Sequence, residues 1–377
     1  MTPRMTAALG LALLAWHAGP ARALETGAPD TGVIATGAPG GAAQRVGRDL
    51  ADLAWRFGAV LTAQPSRGAL QNLRDLTRRP GVVLAVLPSD LLDFLAASAE
   101  DPELRRTKDA LRVVFPLYQE EVHVLARPGI ATLADLAGGR VAVGDPDGGT
   151  LVTATLLLAT AGVRPKEELR LGGEEALEAV RGGRADAMVE VEARPAAPLR
   201  DRVAVEDALH LVPVDLPALR GLYPAAAIPA GTYYPWQSAE VPTVAPRAVL
   251  VTVDWAGMGG REGACRLVGK AARVVADNLE RLRRAGDPAW RGVDLAARLP
   301  GWERSSCVEE ALRAPEGYAL KGPVGPRPSA APLPEPAAGP PARKGPARAA
   351  APRGCAAEGD PVLRRLCEVR PQLEPRP

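Results

Sequence analysis

The chain has few aromatic residues, 4% in all and only three phenylalanines, and only three histidines among 377 residues. Sparse aromatics leave little surface for stacking nucleic-acid bases. The charges point the same way: 46 Lys and Arg stand against 44 Asp and Glu, for a net charge of +2, and the arginines alternate with acids. No basic stripe forms, so a nucleic-acid partner is not expected. Beyond the first residues, no apolar run is long enough to cross a bilayer as a helix. Catalytic signatures are missing too. There is no G-x-S-x-G, no H-E-x-x-H and no Walker loop, and Gly37 to Gly41 lacks the dinucleotide G-x-G-x-x-G spacing. Ser89-Asp90 follows an apolar run as a nucleophile could, but no histidine base can be assigned beside it. His123 lies in an alternating strand and reads as a structural histidine. We therefore expect no enzyme activity, no metal and no cofactor.

The four cysteines are Cys265, Cys307, Cys355 and Cys367. They lack C-x-x-C spacing and have no histidine nearby, which disfavours zinc. An even number in an exported chain reads as disulfides, with three pairings open. We favour Cys265–Cys307 and Cys355–Cys367, contributing roughly 4 and roughly 3 kcal/mol by the loop-entropy model. Export is the expectation set by the first residues. Arg4, the apolar stretch Met5 to Trp16 and Ala21-Arg22-Ala23 follow the order of a secretory signal peptide, which implies a periplasmic protein.

Hydrophobic residues make up 47% of the chain, and strands alternate with helices. Gly32 to Thr36, Ala59 to Ala63 and Val82 to Leu87 read as strands; the last is a continuous apolar run, as in a parallel strand covered on both faces. Val46, Leu50, Leu53, Ala54 and Phe57 recur at helical spacing, and Ala69, Leu70, Leu73 and Leu76 make a second, shorter helix. A second block repeats the pattern. It has a strand through Val122, Val124 and Ala126 and a capping box at Thr132 to Asp135. It continues with strands at Arg140 to Gly144 and Ala185 to Val191, and helices at Thr150 to Ala161 and Glu174 to Arg181. Gly162 is placed to end the helix before it. Pro242 to Asp254 is strand-like, and Arg266 to Arg284 is a basic amphipathic helix expected to pack back on the first block. Two such blocks predict two α/β lobes. Four polar loops follow strands, at Thr36 to Gly41, Pro65 to Gly68, Pro88 to Asp90 and Asp145 to Thr150. Open α/β sheets bind ligands at such strand ends, where backbone donors and hydroxyls suit a small anion.

Several of these segments, taken in order, resemble a known family. They are Thr36-Gly37 with its glycine-rich turn, Pro65-Ser66 to Asn72-Leu73, Leu87-Pro88-Ser89-Asp90, and Phe115-Pro116-Leu117-Tyr118 running into Glu121-Val122-His123-Val124. Leu133-Ala134-Asp135-Leu136, Arg140 to Gly144, Ala185-Asp186-Ala187, Ile228 to Tyr233 and Val241 to Val244 complete the set. The combination is similar to the TAXI family of TRAP-transporter solute receptors, over roughly Gly32 to Val308. The resemblance implies a type II periplasmic binding protein fold, two lobes closing on a small carboxylate or amino acid, and membrane permease subunits as partners. By position it implies contacts from Gly37, Ser66, Ser89 and Thr150, with Tyr118 and Glu190 near the cleft. Two departures bear on the ligand. The family's glycine-serine-glycine-threonine turn is here Asp147-Gly148-Gly149-Thr150, and the strand after Asp186 carries Glu190, Glu192 and Arg194. A carboxylate in the cleft would repel an acidic ligand by about 1–4 kcal/mol, or hold an amine.

The division expected is a signal peptide over 1–23, a first lobe from 24–126 and 233–314, a second lobe over 127–232, a Pro/Ala-rich disordered linker over 315–353, and a tail over 354–377. A sensing or partner-docking protein on the same fold, tethered by the Pro-rich tail, is the alternative to transport; a secreted enzyme on that fold is a third reading.

Overall fold

The computed structural model describes residues 31–255, 261–315, 317, 362, 364 and 366. The expected signal peptide, nearly all of the Pro-rich linker and the Cys355–Cys367 pair lie outside them. No helix among the described residues is long and apolar enough to cross a membrane.

The first lobe begins with β1 (Thr31–Ala35), α1 (Ala42–Trp55), β2 (Val60–Gln64), α2 (Ala69–Arg78) and β3 (Val82–Pro88). Then follow α3 (Ser89–Ala97), α4 (Pro102–Ala110) and β4 (Leu111–Gln119). Every residue of β3 is buried, because α-helices cover both faces of a central parallel strand. The chain then enters a second sheet through β5 (Glu121–Ala126), and continues with β6 (Arg140–Ala142), α5 (Gly149–Thr160), β7 (Glu167–Leu169), α6 (Gly173–Arg181) and β8 (Ala187–Glu192). After α7 (Ala197–Arg202) and β9 (His210–Leu211), β10 (Ala225–Ile228) and β11 (Val241–Val244) form a small antiparallel ribbon. β12 (Arg247–Val253) returns to the first sheet, and α8 (Glu262–Ala285) and α9 (Ser306–Arg313) complete the first lobe.

The two five-stranded sheets share one plan: β2-β1-β3-β12-β4 in the first lobe and β7-β6-β8-β5-β9 in the second. In each, the first three strands are parallel. The fourth is antiparallel and arrives from the other lobe: β12 beside β3, β5 beside β8. Two lobes joined by two exchanged strands define the type II binding-protein fold that the resemblance implies. The crossings lie at Glu120 and at Pro246, where the Glu120 N–H donates to the Pro246 carbonyl at 2.9 Å. The expected lobe boundaries at 126 and 233 therefore move to 120 and 246. β5 belongs wholly to the second sheet, and the ribbon of β10 and β11 packs on β5 rather than on the first lobe.

Local sequence explains most of these elements. The capping box appears at the turn Leu133–Leu136, where the Asp135 carboxylate accepts from the Thr132 N–H at 2.8 Å and its hydroxyl at 2.9 Å. The basic amphipathic helix is α8; it packs on α1, β1 and β3 of the first lobe, as its narrow apolar face predicts. Against its other side lies α9, held by a disulfide between Cys265 and Cys307 with Cα atoms 5.3 Å apart. Gly269 permits that approach, since a Cβ there would sit 2.6 Å from the Cys307 carbonyl oxygen. Near the C-terminus, Val362 and Leu366 are buried in the first lobe's core and Arg364 lies 3.8 Å from Glu103 of α4.

Candidate functional site

Between the lobes lies a cleft of about 730 Å³, lined by the loop before α1, the start of α2, the crossover at Glu120, and the loops opening α5, α6 and α7. The loop before α1 is held in place by hydrogen bonds. Asn72 donates to the carbonyls of Thr36 and Val86, and the Ser66 N–H donates to the Gly37 carbonyl at 2.9 Å.

Two helix N-termini of the first lobe face the cleft, and each is met by an oxygen of the second lobe. The Glu192 carboxylate, at the end of β8, accepts from the Ala42 N–H at the start of α1 at 2.7 Å. The Asp147 main-chain oxygen accepts from the Leu70 N–H of α2 at 3.0 Å, while its carboxylate binds Arg67 at 2.6 Å and also pairs with Arg74. Free N–H groups at a helix start attract anions. Here the protein's own oxygens occupy part of that capacity and draw the lobes together.

Of the six residues expected at the site, Gly37, Thr150 and Glu190 line the cleft, and Ser66, Ser89 and Tyr118 are not among its lining residues. The Ser66 hydroxyl accepts from the Gly68 N–H at 3.1 Å, turning the loop into α2. The Ser89 hydroxyl accepts from the Arg247 N–H at 3.0 Å, joining α3 to the first residue of β12. Tyr118 is buried, and its hydroxyl has no hydrogen-bond partner among the described residues. The Thr150 hydroxyl accepts from the Val191 N–H at 3.3 Å. His123 is fully buried against the Tyr233 hydroxyl, its Nε2 at 2.7 Å, and burial lowers its pKa to about 4. It is structural, as its strand position predicts.

Sequence reasoning missed Glu120. The one available signal is the polar interruption Gln119-Glu120-Glu121 between the apolar stretches Val113 to Tyr118 and Val122 to Ala126, the second broken only by His123. Glu120 and Glu190 both line the cleft, and burial pushes both carboxyls up to about 8, helped by the nearby charge of Asp90 and Glu192 on Glu120 and of Glu192 and Asp145 on Glu190. Glu192 is raised as well by burial, although its backbone donors and Arg45 and Arg200 oppose the shift. Behind Glu120, Asp90 is buried, accepts from the Tyr223 hydroxyl at 3.0 Å, and is raised to about 6, chiefly by burial.

These shifts have a definite sign for stability. The folded protein keeps protons on Glu120 and Glu190 that the unfolded chain loses near its ordinary value of 4.5. The stabilisation they give is complete below that value and is lost as pH rises through about 8. We predict that Glu120→Gln with Glu190→Gln raises stability on the order of 1–3 kcal/mol at pH about 9 and changes little at pH about 5. Thermal unfolding across that range checks it; an equal effect at both ends would show that neither carboxyl is perturbed.

Among the described residues, no three His, Cys, Asp or Glu side chains are grouped as ligands for a metal ion. Two lobes, two crossovers and a cleft faced by helix N-termini define a two-lobed solute-binding protein fold. The chain belongs to the NMT1-like family, whose model matches residues 34–256, more than half of it. Among solved structures it is similar to the substrate-binding protein of an amino acid ABC transporter, with 12% identity over 67% of this chain and 98% of that one and a TM-score of 0.41. It is also similar to an ancestral arginine-binding protein bound to arginine, with 14% identity over 70% and 96% and a TM-score of 0.42. The periplasmic binding protein BugD matches at 12% identity over 71% and 88%, with a TM-score of 0.42.

Proposed function

We propose that this protein is an extracytoplasmic solute receptor of a TRAP-type secondary transporter, of the TAXI group, binding a small carboxylate or amino acid between its lobes and presenting it to membrane permease subunits. The observation that carries this reading is the cleft of about 730 Å³ between two lobes connected at Glu120 and Pro246. A space of that size suits a small organic molecule, and a pair of crossing strands allows the lobes to part and close around it. Gly37, Thr150 and Glu190 make the direct contacts, with Ser66 and Ser89 fixing the backbone behind them. The role in this reading is capture of a solute rather than its turnover. The expected location is the periplasm, reached through the N-terminal signal segment.

A thermal-shift screen of refolded, ligand-stripped protein tests this reading, using amino acids, dicarboxylates, keto acids and amines. A ligand at a hundredfold excess over its Kd should stabilise the native state by about 2.7 kcal/mol. One chemical class should give a saturable rise in melting temperature. A protein that refolds and shifts with nothing is not a receptor for these solutes, and the partner-docking reading would then take its place.

A further inference from the structure

The cations and the carboxyls of the cleft are unequally partnered. Its arginines are already matched within the chain. Arg67 binds Asp147 at 2.6 Å, Arg200 binds Asp201 at 2.6 Å, and Arg202 binds Glu174 at 2.8 Å. Arg45, beside the loop before α1, binds Asp287 at 2.5 Å. The carboxyls of Glu120, Glu190 and Glu192 have no such partners among the described residues. Glu120 is half-buried, lines the cleft, and has neither a side-chain hydrogen bond nor an ion pair among the described residues. Glu190 has no ion pair among the described residues, and the Gly173 N–H at the start of α6 is the one group that favours its charged form. Glu192 is held by the N–H groups of Ala42 and Ala197, with no Lys or Arg within ion-pair distance among the described residues.

Protein interiors pair buried charge or neutralise it. A cleft that spends its cations on itself and leaves two carboxyls facing an open cavity is complementary to positive charge. A bare metal ion does not fit that description, because these carboxyls are not grouped as metal ligands and the cavity is far larger than an ion. We propose that the ligand carries a protonated amine or amidine, and that Glu120, at the crossover between the lobes, and Glu190, beside the start of α6, bind that cationic group. The inference rests on the cleft being the receptor site and specifies which end of the solute it selects.

Proton release follows from the same groups. The charges facing Glu120 are Asp90 and Glu192, and those facing Glu190 are Glu192 and Asp145; all are carboxyls, and all favour the protonated form. In the empty cleft both glutamates hold protons at neutral pH, and an incoming cation displaces them. Affinity for an amine should therefore rise as pH is taken from near 7 toward 9, while the amine itself stays charged.

The test uses putrescine, γ-aminobutyrate and succinate, which share a four-carbon chain and differ only in the charge at its ends. Calorimetric titration of the full chain near pH 7, in two buffers with different ionisation heats, reads both affinity and protons exchanged. We expect the two amine-bearing probes to bind with release of protons and succinate to bind far more weakly. Glu120→Gln and Glu190→Gln should each weaken putrescine about tenfold or more, equivalent to 1.4 kcal/mol, with folding verified by thermal unfolding. Tighter binding of succinate than of putrescine overturns the proposal and leaves the receptor reading standing. Putrescine binding that neither glutamine variant changes overturns it as well. Failure of both amine-bearing probes at about 1 mM also ends it, while the broad thermal-shift screen decides separately whether the cleft is a receptor site at all.

Discussion

Replacing Gly68 by valine should weaken ligand binding at least a hundredfold while leaving both lobes folded. Gly68 precedes α2 with φ 131° and ψ −160°, a region open almost only to glycine. A Cβ on this residue would stand 2.7 Å from the Gly148 Cα, 3.2 Å from the Asp147 carbonyl oxygen and 3.3 Å from the Gly149 nitrogen. All three neighbours are backbone of the second lobe, so they cannot turn aside as a flexible side chain could. The backbone strain costs about 1–3 kcal/mol, and the clash falls at the point where the Asp147 carbonyl caps α2 across the cleft. Closure is therefore what the substitution blocks. A hundredfold loss corresponds to about 2.8 kcal/mol, within reach of the clash alone. Titration calorimetry with the solute found by the screen measures the affinity, and small-angle scattering should show the variant staying open at saturating ligand. Unchanged affinity with normal closure would mean that the contact between Gly68 and Gly148 is not part of the ligand-bound state.

The second large effect concerns stability and should leave the cleft untouched. Cys265–Cys307 spans a sequence separation of 42 and ties α8 to α9. The loop-entropy model assigns such a closure about 4 kcal/mol. Cys307 is buried, with Val308 beside it in the core. The double variant Cys265→Ser, Cys307→Ser should thus lose about 3–4 kcal/mol in urea unfolding. The reduced wild-type protein should behave alike, and ligand affinity should be preserved, because neither α8 nor α9 lines the cleft. A loss below about 1 kcal/mol would indicate that packing around Gly269 holds the two helices together without the bond.

Much of the frame was legible in the residues. The continuous apolar run at Val82 to Leu87 read as a strand covered on both faces, and it is the centre of the first sheet. Thr132 and Asp135 announced their own turn, and Gly162, with φ 67°, ends α5 where it was expected to. These signals depend on residues near one another along the chain, so periodicity and cap chemistry suffice to read them. Signals were weaker where elements are short or where their apolar faces come from distant partners. The three-residue strand β7 owes its place to pairing with β6, and α9 to its contact with α8.

The candidate site divides along the same line. Sequence by itself determined the class of fold, the loops at the strand ends and the placement of Gly37, Thr150 and Glu190 on such loops or strands, whereas of the three cysteine pairings it left open the structure decides for Cys265–Cys307. It could not determine where hydroxyls point: Ser66 and Ser89 follow strands as ligand-binding serines would, yet each accepts a backbone N–H of its own lobe. Nor could it single out Glu120, which acquires its meaning only where two strands cross between lobes. Whether a charge is spare or matched depends on residues far away in the chain, as with Arg67 and Asp147. Charge balance is thus a property of the closed cleft, and only the tertiary structure decides it, because only folding brings the partners within range and removes the water that would otherwise screen them.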